Sequence, residues 1–95
     1  MKVTFNRQAE AELVSAARYF ETEKKLGEAF LDEYEAWENQ VRRFPECCPE
    51  IAPGIRCGYL ARFKYHVTYA VHGPAIRILY VRSARQVPLR SWSRG

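Results

Sequence analysis

The sequence predicts an α+β domain in the order β-α-α-β-β-β, an antiparallel sheet with an N-terminal strand and a helical hairpin packed on one face. Three observations carry this. Apolar residues in the first half recur at spacings of three and four, those beyond Gly54 alternate with a period of two, and a proline-rich loop, "PECCPEIAPG", separates the two regimes.

The elements follow in order. "KVTF" alternates briefly as a first strand, and Asn6 stands where a helix N-cap belongs. Ala9, Leu13, Ala16 or Ala17 and Phe20 then line one helical face, with glutamates and lysines filling the rest. Gly27 marks a junction after "EKKL". A second stripe, Leu26, Phe30, Tyr34, Trp37, Val41 and Phe44, runs until Pro45, which has no N–H to continue a helix. Two amphipathic helices with so short a connector should pack as an antiparallel hairpin.

After the loop, Ile55, Cys57, Tyr59, Ala61 and Phe63 alternate with Arg56, Gly58, Leu60 and Arg62, which predicts a strand. Tyr65, Val67, Tyr69 and Val71 alternate with His66, Thr68, Ala70 and His72 in the next, and "HGPA" turns the chain into "IRILYVR". Helices covering one sheet face should bury the odd-numbered residues of the strand from Ile55. Arg56 and Arg62, of opposite parity, should point to the other face and make it basic.

A chain of 95 residues, 47% apolar and 14% aromatic, can bury one modest core, so residues 1–95 are expected to form a single domain. The opening "MKVTFNRQAEAELV" contains no apolar run of the kind a signal peptide needs, and no stretch is long and apolar enough to span a membrane. A cytoplasmic protein is the expectation. Cys47 and Cys48 are adjacent and Cys57 stands apart, a spacing that fits neither a disulfide framework nor the paired cysteines of a zinc site. Neither metal nor cofactor is expected.

The charge pattern is the strongest functional signal. All eleven carboxylates lie within residues 1–50 against seven basic residues, a net −4; residues 51–95 hold eight arginines and lysines and no acid, a net +8. Charge runs are commonly solvated surface, and helix and strand propensities separate some acids from some arginines. Propensity does not empty 45 residues of carboxylates. A self-repelling surface of this kind fits an anionic partner: a nucleic acid, a machine that carries one, or an acidic polypeptide.

Metal-free RNA cleavage on such a surface needs a base for the 2′-OH, an acid for the leaving oxygen and cations for the pentavalent transition state. Arg56, Arg62, Arg82 and Arg85 can supply the cations. The proton carriers are less evident: His66 and His72 have no carboxylate nearby in sequence to orient them, and Glu46 or Glu50 would have to reach in from the loop. Neither a Ser/His/Asp nor a P-loop signature is present.

An ordered set of phrases runs through nearly the whole chain: "A-E-L-x-x-A-x-x-Y" (Ala11 to Tyr19), Ala29-Phe30, "R-F-P" (Arg43 to Pro45), "P-G-I-R" (Pro53 to Arg56), "R-F-K-Y-H-V-T-Y" (Arg62 to Tyr69) and "I-L-Y-V-R-S-A-R-Q-V-P", followed by Trp92. This set resembles the RelE/ParE superfamily of type II toxin–antitoxin toxins, and "R-F-K-Y-H-V-T-Y" and "P-L-R-S-W" are more similar to its ParE-like branch. The resemblance implies a small toxin with a helical hairpin on a twisted antiparallel sheet, held inactive in a hetero-oligomer with a cognate antitoxin. ParE-like members poison DNA gyrase, whereas RelE-like members cut mRNA in the ribosomal A site.

The chain departs from both patterns. Ser83, Arg85 and Gln86 stand where ParE-like relatives commonly have a histidine and paired arginines; Lys64 is the only lysine of the basic half, and no Tyr or His follows Tyr80, unlike RelE-like nucleases. The resulting expectation is a ParE-like toxin, not itself an enzyme, that engages gyrase or its DNA complex through Arg56, Arg62, Arg82, Arg85, Arg90 and Trp92. The alternatives are a metal-independent, ribosome-dependent endoribonuclease, with ribosome and mRNA as partners, and a non-toxic nucleic-acid-binding or adaptor module. Trp92 suits either a tail packed on the sheet or a target contact. Tyr34 and Trp37 suit the core by their place in the stripe, and antitoxin binding as exposed aromatics.

Overall fold

Asn6 opens the first helix: its backbone is extended and its Oδ1 accepts the Gln8 N–H at 2.9 Å. The computed structural model of the chain, described over residues 1–86, places β1 at Lys2–Phe5, α1 at Arg7–Lys24, α2 at Gly27–Arg43, β2 at Glu50–Ala52, β3 at Ile55–Leu60, β4 at Tyr65–His72 and β5 at Ala75–Ser83. Helix α1 stops at Lys25, whose left-handed backbone (φ 59°) lets its N–H reach Glu21 O. Gly27 then starts α2 directly against α1. A Cβ there would lie 2.8 Å from the Ala17 carbonyl, so the close approach of the two helices needs glycine.

The five strands lie in the order β1-β5-β4-β3-β2. Strands β2 to β5 pair antiparallel, but β1 runs parallel to β5, with Lys2 opposite Ala75 and Phe5 opposite Ile78. The sheet is therefore mixed rather than antiparallel throughout. Tight turns force antiparallel pairing between consecutive strands, whereas β1 is separated from β5 by most of the chain and no turn constrains its direction. Strand β2 is also new relative to the sequence reading. It forms inside the proline-rich loop, where Gly54 at φ 73° turns Glu50–Ala52 back onto Ile55 and Arg56.

Between the helices and the sheet lies the main core, built on Phe30, Tyr34, Val41, Leu60, Phe63, Val67, Tyr69, Ile76, Ile78 and Val81. Its centre is aromatic: Phe20 and Phe30 both meet Phe63 and Tyr65 edge-on, with ring centroids 4.8 to 5.7 Å apart. The last residue of the second stripe, Phe44, is exposed and lies under the Arg43 guanidinium. A smaller cluster, Ala70, Leu79 and Tyr80 with Ile55, gathers on the opposite sheet face. A bulge creates it. The β4–β5 register passes from Thr68 opposite Tyr80 to Tyr69 opposite Ile78, so Leu79 is the extra residue and the inward set resumes at Val81. Beyond Ile78, β1 no longer covers β5, and the Val81 N–H is taken instead by Glu12 Oε1 of α1 at 3.0 Å.

The expected parity of β3 is reversed. Gly58 and Leu60 are buried, while Tyr59 is 48% exposed and Ile55 packs with the opposite-face cluster. Gly58 decides this. A Cβ at that position would lie 2.2 Å from Trp37 Nε1, because the indole of α2 fills the space above the glycine. Alternation alone offered an apolar residue on both faces, and the face with the gap is the one that receives the helix.

Candidate functional site

Three elements converge at one end of the sheet. The C-terminal turn of α1 brings Tyr19 and Lys24, the turn after β3 brings Arg62, Phe63 and Lys64, and the end of β5 brings Ser83 and Arg85; with Phe20 and Tyr65 they line a cleft of ≈ 400 Å³. Phe63 is buried in the aromatic core, which fixes the turn, and the Arg62 guanidinium sits 5.1 Å over its ring. Lys64 adopts a left-handed backbone at φ 58°. Its carbonyl accepts the Ala84 N–H at 2.8 Å, which ties this turn to the end of β5. On that side the chain is shaped by two short bonds, Ser83 N–H to Gln86 Oε1 at 2.7 Å and Arg85 N–H to Ser83 Oγ at 3.2 Å.

Four cationic side chains, Lys24, Arg62, Lys64 and Arg85, thus line one cleft that no carboxylate lines. Among the described residues none of the four is in an ion pair. Arg62 and Arg85 were expected at a functional surface and are brought together here. Tyr19 and Lys24 lie more than thirty-five positions earlier in the sequence, in the acidic half, so only the packing of α1 on the sheet reveals that they belong with the arginines.

The remaining expected residues scatter. Arg56 does not project from a basic sheet face: its Nη1 donates to the carbonyls of Cys48 at 2.7 Å and Glu46 at 3.4 Å, holding the loop before β2. The reversed parity of β3 is the reason, since it turns Arg56 toward the side of that loop. Arg82 lies on β5 directly opposite His66 of β4. His66 is exposed, its ring 4.9 Å from that of Tyr59 and its Nδ1 3.6 Å from Cys57 Sγ. Arg90 and Trp92 lie outside the described residues. Tyr34 is buried and Trp37 half-buried in the core, where Trp37 stands 5.7 Å from the Tyr69 ring.

Two of the three thiols are held in the protonated form. Burial pushes Cys57 above its ordinary value, and burial followed by the hydrogen bond with Cys48 does the same for Cys47, so both stay protonated near neutrality. Among the described residues no group of three His, Cys, Asp or Glu side chains could hold a metal ion, and no helix is long and apolar enough to cross a membrane.

A second surface lies on the outside of the helical hairpin. Leu13, Val14, Ala17 and Leu31 form an open apolar groove of ≈ 390 Å³ rimmed by Arg18, Glu21 and Glu28. Val14 and Leu31 are 45% and 42% exposed there, and Gly27 forms part of its floor.

No protein-family model matches the chain, and no curated protein does. Among solved structures, a chain of the chromosomal ParDE TA system from P. aeruginosa is similar over 90% of this chain and 97% of its own length, with 22% identity and a TM-score of 0.65. The α+β fold expected from the ParE-like resemblance is the fold observed, and it is shared with a chain of that toxin–antitoxin system.

Proposed function

We propose that the chain is the toxin of a type II toxin–antitoxin module, ParE-like, which inhibits DNA gyrase and is neutralised by a cognate antitoxin. The observation that carries this reading is the cluster of Lys24, Arg62, Lys64 and Arg85, unpaired among the described residues, on a fold shared with a ParDE system. Four converging cations repel one another, and an anionic target relieves that repulsion on binding. Gyrase bound to DNA offers such a target.

The antitoxin has two surfaces to meet. Its apolar side chains fit the groove of Leu13, Val14, Ala17 and Leu31, and its carboxylates complement the cationic cleft. Tyr34 and Trp37 are taken up by the core and do not line the groove. Cytoplasmic action follows from both partners.

Induced expression tests the target. Filamentation with DNA-damage signalling, together with inhibition of supercoiling by purified protein and gyrase alone, is the expected result. Rapid loss of translation with mRNA cut at codons and no DNA damage would replace it with the RelE-like endoribonuclease reading. One observation favours that second reading: His66 faces Arg82 across the β4–β5 ladder on an exposed surface, a proton carrier beside a cation. Loss of neither process, with no antitoxin-like neighbour gene, would leave a non-toxic adaptor.

A further inference from the structure

The cationic cleft is only half of a longer groove. Next to it a second cavity of ≈ 540 Å³ is lined by Ala11, Glu12, Ser15, Gln86 and Val81, and the two share Tyr19, Tyr65 and Ser83. One half therefore offers positive charge; the other is largely apolar, with Ser15, Gln86 and the Glu12 carboxylate, whose Oε1 is already taken by the Val81 N–H, and Tyr19 and Tyr65 stand between them. We infer that this groove binds an unpaired stretch of nucleic acid, with a base stacked on Tyr19 and the flanking phosphates held by Lys24, Arg62, Lys64 and Arg85.

Tyr19 has the features of a stacking platform. It is 53% exposed, and Phe20 stands edge-on against it at 5.3 Å between centroids. Phe20 is itself fixed by Phe30 and Phe63 at 5.2 and 4.8 Å. An exposed tyrosine on a helix is ordinary; one carried on a rigid aromatic stack at the junction of a cationic and a polar cavity suits a flat, anion-flanked ligand. Lys64 supplies an independent argument. A left-handed turn position favours Gly or Asn, and a lysine held there at φ 58° keeps an ammonium group at the cleft wall against backbone preference.

The partner class follows from the combination. Charge alone would serve an acidic peptide equally well, but a peptide carboxylate gains nothing from the tyrosine face. A duplex presents the same phosphates but keeps its base faces stacked inside. An unpaired nucleotide uses both halves, its base at Tyr19 beside Ser15 and Gln86 and its phosphates on the cationic side, which Glu12 does not line. The inference rests on the groove and not on gyrase being the target.

Fluorescence anisotropy with the full 95-residue chain tests it. Labelled octamers of thymidylate and of uridylate should bind more tightly than a duplex of equal charge or a polyglutamate peptide, with log affinity falling roughly 0.7 per phosphate contact against log salt. Y19A should weaken binding roughly tenfold or more while leaving that slope unchanged, and Y19W should retain affinity. R62A/R85A should lower the slope itself. Thermal melting of each variant separates lost binding from lost folding. Equal or tighter binding to duplex or polyglutamate, an unaltered Y19A, or no binding at physiological salt would overturn the inference. A preference between the two octamers supports the site and identifies its natural source as DNA or RNA. Binding without gyrase inhibition would retain this site and remove only the target assignment.

Discussion

The Trp37 indole occupies the volume that a side chain at position 58 would fill, with Nε1 and Cε2 only 2.2 and 2.6 Å from where a Cβ on Gly58 would stand. Trp37 cannot easily withdraw, because it is packed between Tyr34 and Tyr69 at 5.7 Å from each ring. G58A is therefore expected to destabilise by about 1–3 kcal/mol, the range for overpacking a filled site. In a W37F background the same substitution should cost less, because the smaller ring frees space. Chemical denaturation of the four variants of this cycle measures the coupling, and additive losses would disprove the contact.

Glu12 should matter for a different reason. Its Oε1 is the acceptor of the Val81 N–H at a point where β1 no longer covers β5, so E12A leaves a half-buried donor without its partner. A loss of about 1–3 kcal/mol is expected, while E12Q, which keeps a carbonyl oxygen, should lose much less. Equal losses would mean that the charge and not the hydrogen bond is what counts.

Alkaline pH should expose Tyr34. Burial, then its hydrogen bond to Glu38 Oε1 at 2.8 Å, raises its phenol far above the ordinary value. In the unfolded chain the group ionises near pH ~10, while in the folded chain it stays neutral. Its contribution is fully present below that pH and declines as pH rises beyond it, because the unfolded state then loses the proton first. Y34F should flatten the fall in melting temperature above pH ~10. An unchanged profile would refute the assignment.

Two pairs of substitutions test where the proposed toxin would act. R62A/R85A removes two cations of the cleft, and H66A/R82A removes the facing pair on the open sheet face. Loss of toxicity with the first and not the second is expected, with melting lowered by no more than a few degrees for R62A/R85A because both side chains are exposed. The reverse pattern would move function to the sheet face and favour the nuclease reading.

The hairpin groove gives the complementary test. V14D places a charge among Leu13, Ala17 and Leu31 without entering the core, since Val14 is 45% exposed. Toxicity should persist while neutralisation by the antitoxin weakens, read by co-expression. Loss of toxicity with intact neutralisation would show that the groove serves the target.

Much of this architecture was legible in the residues themselves. Asn6, Gly27 and Pro45 punctuate the helices as their chemistry requires, and the stripe from Leu26 to Val41 faces the sheet as its spacing demands. The face of β3 was not legible, because Ile55, Tyr59 and Leu60 give alternation without a unique inside. Only the fit of Trp37 over Gly58 resolves it, and that is a contact between distant segments. The site was legible in part for the same reason. Arg62 and Arg85 stood out by charge, but Tyr19 and Lys24 join them through tertiary packing, and Arg56 is withdrawn by a backbone bond to Cys48 that no pattern announces.

The parallel pairing of β1 with β5 also dictates when the protein becomes complete. Its first strand finds its partner only among residues 75–78, and the cleft needs Arg85 as well as Tyr19, so neither can form while the ribosome is still making the chain's middle. Growing from the N-terminus at roughly 5–20 residues per second, the nascent polypeptide carries its helices for seconds without the sheet they cover. On the proposed toxin reading, the cleft is assembled in one late step, so an inhibitor need only be waiting when β5 emerges.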